Sequence, residues 1–384
     1  MTVNIALISG PMYDPLYGRI NLFSQLNGVE VEVGFKGDHP ALNEHLNRCA
    51  GMPYDLVSTH TKYAPSQTAF LAPLDGLLDG RESSDFVALL FNLAHIQGKC
   101  YGLPRNIDVR LLHYRTDLIL QPPATWDELL DLARTVNHPP QHYGFIFPGM
   151  ESGLFGTFFE LAEAAGARLF PDDLIPRVEN EGGRWALNFL RCCYQEHLAP
   201  PEIVEWHFDR VHDFFRDGFA AMTGDWPGYY QDYKNPQTSA VCDRFALARY
   251  PAGPAGYSRV YGGGHTFGLT SRGVNNPQAV ALLKFLTAPE QQLLEARHGS
   301  VPVRHSVMAQ IQSQSHPAEL QRWKTLEKVI VEDIIIPPRF ARYPEVEEVL
   351  WKTVQAGMVG ALSVDQALHQ MTVQISEIVR SIHE

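Results

Sequence analysis

Hydrophobic and polar positions along this chain follow two periods, and the periods alternate. "VNIALIS", mostly apolar, reads as a strand, and "VEVEVGFKG" alternates apolar and polar positions as a half-buried strand does. A turn and a helical stretch separate them. "PALNEHLNRCAG" has helical spacing and predicts a helix closing at Gly51, and "YDLVST" reads as a short buried strand. This βαβαβ opening predicts a mainly parallel sheet covered by helices. "THTKYAPSQTAFLAPLDGLL" then predicts a loop, a short helix and a turn.

A second region opens with "LLHYRTDLILQPPATWDELLDLARTV". Thr125 precedes its helical part and Glu128 lies three residues on, the spacing of a capping box. "HYGFIFPG" predicts a strand, and "LFGTFFELAEAAGARLF" and "GRWALNFLRCCYQEHL" predict amphipathic helices. Near the end, "YPEVEEVLWKTVQAGMVG" and "SVDQALHQMTVQISEIVRSI" predict two more, the last behind a weaker capping box, "SVDQ". No internal repeat or low-complexity segment interrupts this order.

"YGGGHTFGLT", Tyr261 to Thr270, raises the possibility of a phosphate loop. A dinucleotide fingerprint needs glycines at positions one, three and six between a strand and a helix. Counted from Gly262, the third position is Gly264 and the sixth is Phe267. No closing Gly-Lys-Ser/Thr follows either. The alternation of "HTFGLT" makes the glycines the entrance to a strand, where they permit a bend or a close approach. "PQAVALLKFLTAPEQQ" then predicts one helix with Pro277 in its first turn.

Length and charge narrow the class. At 384 residues the chain favours more than one lobe. Lys and Arg number 31 against 43 Asp and Glu, a net charge of −12, which disfavours nucleic acid or an anionic membrane as partner. No apolar run approaches a membrane span. The start "MTVNIALISG" has the pattern of a strand and lacks the basic and apolar regions of a signal peptide. Two alternatives stand: a cytoplasmic chain, or a start near a mature N-terminus with Met1 added. The five cysteines, 49, 100, 192, 193 and 242, form no CxxC pair. Cys49 and Cys100 could pair outside the cytoplasm; buried free thiols suit most of them better. His39 and His45 lie six apart, off one helix face, and no metal or cofactor is expected.

Four stretches together resemble the family 1 extracellular solute-binding proteins, the sugar-capturing components of bacterial ABC importers. They are "YDLVSTHTKYAPSQTAFLAPLDGLL", "YGLPRNIDVRLLHYRTDL" with "PPATWDELLDLA", "FFRDGFAAMTGDWPGYY", and "GGGHTFGLTSRGVNNPQAVALLKFLTAPEQQ". The resemblance implies an α/β, two-lobe periplasmic-binding-protein fold of type II. Its lobes are discontinuous, with hinge crossings near 111–114 and 262–266 and an interlobe ligand cleft. The implied lobes are 1–112 with 266–312, and 113–265 with 313–384. The glycine run then becomes hinge and cleft wall. The resemblance also implies a sugar ligand, permease subunits as partners, a monomer, and a periplasmic or extracellular location after signal-peptide removal. His60 stands where the family often has Asp, and Arg115 where it has Asn, which affects the identity of the sugar.

Sugar recognition needs aromatic faces for C–H surfaces and planar polar groups for hydroxyls. The expected ligand contacts are therefore Arg105, Asp108 and Arg110 from "RNIDVR", Asp225, Trp226 and Tyr229 from "GDWPGYY", and Trp206 from "VEWHFD". His60 and Tyr63 follow a strand at its C-terminal edge, where ligands gather in open sheets. Tyr13 leaves the first strand in the same way. Gly263, Gly264 and His265 come from the glycine run, and Arg339 from a proline turn. For Arg105 and Asp108 a structural ion pair competes with ligand contact. The alternatives to a transport binder are a two-lobe carbohydrate-active enzyme using Asp108 and Asp225, and a ligand-sensing partner of a membrane receptor. No nucleophile elbow or metal signature supports the enzyme.

Overall fold

The computed structural model describes residues 2–10, 12–49 and 51–381. The chain divides into two units. The first comprises Met1–Asp108, Gly263–Trp323 and Arg339–Ala341; the second comprises Val109–Gly262, Lys324–Pro338 and Arg342–Glu384. The division departs from the expected one at its third boundary. Residue 312 falls inside the helix His305–Gln314, which stays whole within the first unit, and the chain changes unit only after Trp323. The short return at 339–341 has no counterpart in the hydrophobic pattern.

In the first unit, β1 (Thr2–Ile8) lies between β2 (Glu30–Gly37) and β3 (Leu56–His60), parallel to both. Beyond β3 come β9 (Val260–Leu269), then β4 (Leu103–Val109), then the two-residue β10 (Val301–Pro302). β9 runs antiparallel to β3, with His265 opposite His60, so the sheet is mixed and not mainly parallel. Alternation along β1 explains its two buried faces. Val3, Ile5 and Leu7 pack with Phe23, Leu282 and Leu286, while Ala6 and Ile8 pack with Leu42, Leu46 and Val57. Each large apolar side chain buried this way contributes about 1.5–3 kcal/mol.

Two helices end where the pattern alone did not place the end. The helix His39–Arg48, capped by Asp38 accepting from Ala41 N at 2.9 Å, stops short of Gly51. The run from Pro277 is two helices, Pro277–Leu286 and Pro289–Arg297. Pro289 lacks an N–H and disfavours helical backbone at Ala288, which is extended at ψ 152°.

The second unit holds a four-stranded sheet. Its strands are β5 (Leu111–Arg115), β6 (Tyr143–Ile146), β7 (Ala220–Asp225) and β8 (Phe245–Ala248), in the order β8-β5-β7-β6. The first residues of β9 pair with Ile334–Ile335 in this unit. Trp126, fully buried, packs edge-on against Phe145 and Phe189. The two capping boxes exchange strength. Thr125 accepts from Glu128 N at 3.2 Å, but the Glu128 carboxylate takes Ala124 N, so that box is incomplete. Ser363 and Gln366 cap each other reciprocally before the last helix, Val364–Arg380. No helix among the described residues is long and apolar enough to cross a membrane. All five thiols are free, Cys49 and Cys100 included.

Candidate functional site

In the first unit the expected polar residues meet where the ends of β3 and β4 lie beside the middle of β9. The His265 ring is the centre. Its Nδ1 lies 3.1 Å from Asp108 Oδ2, 3.1 Å from the Tyr13 hydroxyl and 3.2 Å from Asn106 Oδ1. Asn106 Nδ2 donates to the other Asp108 oxygen at 2.9 Å. The His60 ring stands edge-on to His265 at 4.9 Å, and its Nδ1 accepts from Lys62 N at 3.0 Å. Lys62 Nζ sits over the Tyr63 ring at 4.9 Å. A small recess is lined by His60, Tyr63, His265, Asn43, Thr59 and Gln67 among others. Burial, then the Asp108 charge, push the Tyr13 hydroxyl well above its ordinary pKa, so it stays protonated and able to donate.

The glycines serve this cluster by their size. A Cβ on Gly263 would stand 2.8 Å from the His60 ring, and one on Gly264 2.9 Å from Asn106 O and 3.0 Å from Leu90. Gly10 differs: at φ +154° it turns the chain out of β1 so that Tyr13 can fold back beside it.

In the second unit the turn after β7 carries Trp226 and Tyr229, both partly exposed. Trp226 meets Phe208 edge-on at 5.2 Å and Tyr261 at 5.9 Å, with the Arg110 guanidinium 5.6 Å from its ring. Tyr229 stacks on His212 at 3.9 Å and donates to Asp209.

Five expected contacts are committed elsewhere. Arg105 is 1% exposed and gives two hydrogen bonds to Glu295, at 2.8 and 2.5 Å, and one to the Tyr17 hydroxyl. The rival expectation paired it with Asp108; its carboxylate is Glu295. Arg110 is equally buried and binds both oxygens of Glu160, at 3.0 and 2.5 Å. Asp225 accepts from Trp226 N, from the Tyr233 hydroxyl and from His212. Trp206 is buried against Phe214 at 4.7 Å with Arg210 over its ring. Arg339 donates to Leu93 O and His95 O, neutralising the carbonyl end of the helix Ala88–Leu93. Burial lowers its pKa from the ordinary guanidinium value.

Three contributors were missed from the sequence: Asn106, His212 and Tyr261. A signal existed for the first. Period two puts Asn106 and Asp108 on one face of β4 and Arg105 on the other. His212 carries only helical spacing with Phe208, Val211 and Phe215, which marks a buried face and no chemistry. Among the described residues no group of three or more His, Cys, Asp or Glu side chains could hold a metal ion.

A family model of bacterial extracellular solute-binding proteins matches residues 20–322. The chain belongs to this family. Among curated relatives, a putative binding protein of Brucella abortus is 25% identical over 245 residues, 62% of this chain and 59% of the relative. The alignment thus takes in less than two thirds of that relative's length. A mannitol-binding protein of Pseudomonas aeruginosa is 25% identical over 328 residues, 78% of this chain and 74% of the relative. Among solved structures, maltose-bound MalE3 of T. maritima superposes with a TM-score of 0.88 at 22% identity, covering 98% of this chain and 99% of that one. The fold is therefore the type II fold of solute-binding proteins, and the family is one of binding proteins.

Proposed function

We propose that this protein is the ligand-capturing component of a bacterial ABC importer, working outside the cytoplasmic membrane, and that its ligand is a sugar or sugar alcohol. Family membership, with a likeness to a maltose-bound protein along nearly the whole chain, is the observation that carries this reading. The side chains suit the ligand class. Trp226 and Tyr229 offer apolar faces with polar edges, as a carbohydrate ring requires. Asp108, His265, Asn106 and Tyr13 form a cluster that can give and accept at neighbouring hydroxyls. His60 and Tyr63 border it, and Gly263 and Gly264 keep the backbone low beside it. The partner is the importer's permease, and the protein acts as a monomer.

A thermal-shift series with maltose, maltotriose, D-mannitol and ribitol tests this reading. A true ligand stabilises the protein by about 2.7 kcal/mol at a hundredfold excess over its dissociation constant. Chromatography of the same mixtures should return the sugar unchanged. A product peak would turn the assignment to an enzyme, and a flat series over sugars and polyols would remove the ligand class.

A further inference from the structure

His212 is a buried titratable side chain, engaged at both ring nitrogens, that the ligand reading leaves unused. It lies on the helix Phe208–Arg216 and is 4% exposed. Each of its ring nitrogens faces a different carboxylate. Nδ1 is 3.3 Å from Asp225 Oδ2, and Nε2 is 2.8 Å from Asp232 Oδ2. Its ring lies nearly flat on Tyr229, 3.9 Å between centroids at 19°. Asp225 in turn accepts from the Trp226 backbone N–H at 2.8 Å and from the Tyr233 hydroxyl. One imidazole therefore reaches both ends of the turn that presents Trp226 and Tyr229.

The geometry asks for a particular protonation state. A neutral imidazole has one N–H, and its other nitrogen would turn a lone pair toward a carboxylate; only the imidazolium donates to both. The imidazolium also gains attraction from the face of Tyr229 that the neutral ring lacks. We propose that His212, as an imidazolium bridging Asp225 and Asp232, is the positioning residue that fixes the Trp226–Tyr229 turn in its ligand-ready form. The value of that form for ligand rests on the sugar-binding reading above; the fixing of the turn does not.

The charged and titratable surroundings agree. Asp209 and Arg216 share the helix with His212, and Arg216 donates to Asp232 at 3.3 Å. β7 contributes Asp225, the short helix Tyr230–Tyr233 contributes Asp232 and Tyr233, and β5 contributes His113, 5.1 Å from the Tyr233 ring. Burial opposes charge on His212, but hydrogen bonds and charge from Asp225 and Asp232 outweigh it and hold the pKa above its ordinary value. A raised histidine pKa makes the clamp complete below the ordinary value and releases it as pH rises through the raised one.

The test needs no ligand. The full chain is labelled with 5-fluorotryptophan, and Trp226→Phe assigns the Trp226 fluorine resonance. That resonance is followed from about pH 5.5 to about pH 9, a range that brackets the ordinary histidine value. It should titrate with a midpoint above that value. Asp232→Asn, at a half-buried position, removes one carboxylate and should lower the midpoint by about one pH unit. His212→Gln should abolish the titration. A resonance that stays fixed across the range, or a midpoint unmoved by Asp232→Asn, overturns the proposal. Titration in a protein that binds none of the sugars tested leaves the positioning intact and removes the carbohydrate reading instead.

Discussion

Arg105 and Arg110 stand five residues apart in one stretch, and each buries a guanidinium against one glutamate. They solve that problem differently. Arg105, in the first unit, uses a single oxygen of Glu295, and the other oxygen has no hydrogen-bond partner among the described residues. It also donates to the Tyr17 hydroxyl and Tyr13 O, and lies over the rings of Tyr13, Tyr17 and Phe267 at 4.5–5.0 Å. Arg110, in the second unit, depends on Glu160, whose two oxygens it takes; Thr157 accepts a further hydrogen bond from it at 3.2 Å. Glu160 in addition accepts the backbone N–H of Tyr261 at 2.9 Å. One pair is a close aromatic nest; the other is a clamp on Glu160 that also pins a strand, with the rings of Trp226 and Phe208 farther from the guanidinium, at 5.6 and 5.9 Å. A buried ion pair is judged by what remains when one partner goes, because a stranded charge costs more than the pair contributes.

This contrast sets the order of the expected effects. Glu160→Ala should be the most damaging change. It strands Arg110 in a dry site, frees Tyr261 N, and should cost the second unit about 3–5 kcal/mol in urea unfolding. Glu295→Ala should cost the first unit less, about 1–3 kcal/mol, since Arg105 keeps its tyrosine partners. Equal losses would erase the distinction between clamp and nest.

Acidity sharpens the same comparison. Burial pushes Glu160 up to about 7 in spite of Arg110, while an unfolded chain leaves it near 4.5. Between these values the folded state binds more protons than the unfolded one, so this group's contribution falls as pH rises from about 4.5 to about 7. The melting temperature of the native protein relative to Glu160→Gln should decline across that window. A difference that stays constant would mean that Glu160 is ionised throughout.

Effects of the size of Glu295→Ala or smaller fall on ligand binding with the fold intact. Trp226→Ala should weaken sugar binding by about 1–3 kcal/mol in calorimetry, the scale of a lost aromatic face. Asp108→Asn keeps shape but gives up a charge-assisted acceptor, and should weaken binding by about 1 kcal/mol without lowering the melting temperature. Full affinity in both variants would detach the polar cluster and the aromatic turn from the ligand.

The sequence by itself determined the class of element where the pattern was read, as in β1, β2, β3, β6 and the two last helices, because periods of two and near four are local properties of a chain that must bury one face. It also determined that the glycine run belongs to no phosphate loop, since the spacing excludes one and the alternation after it marks a strand; that the strand already begins at Val260, so that the glycines lie inside it and do not lead into it, was decided by the pairing of the packed sheet. The family followed from blocks whose order is legible in one dimension. Partner choice was not legible. "RNIDVR" offers two arginines and one aspartate with nothing to say that Glu295 and Glu160, 190 and 50 positions away, would claim the arginines. The same holds for Asp225, drawn inward by His212 and Tyr233, and for Arg339, spent on carbonyls at a helix end. A buried charge takes whichever counter-charge the fold brings within hydrogen-bond reach, and that distance exists only once the strands and helices are packed.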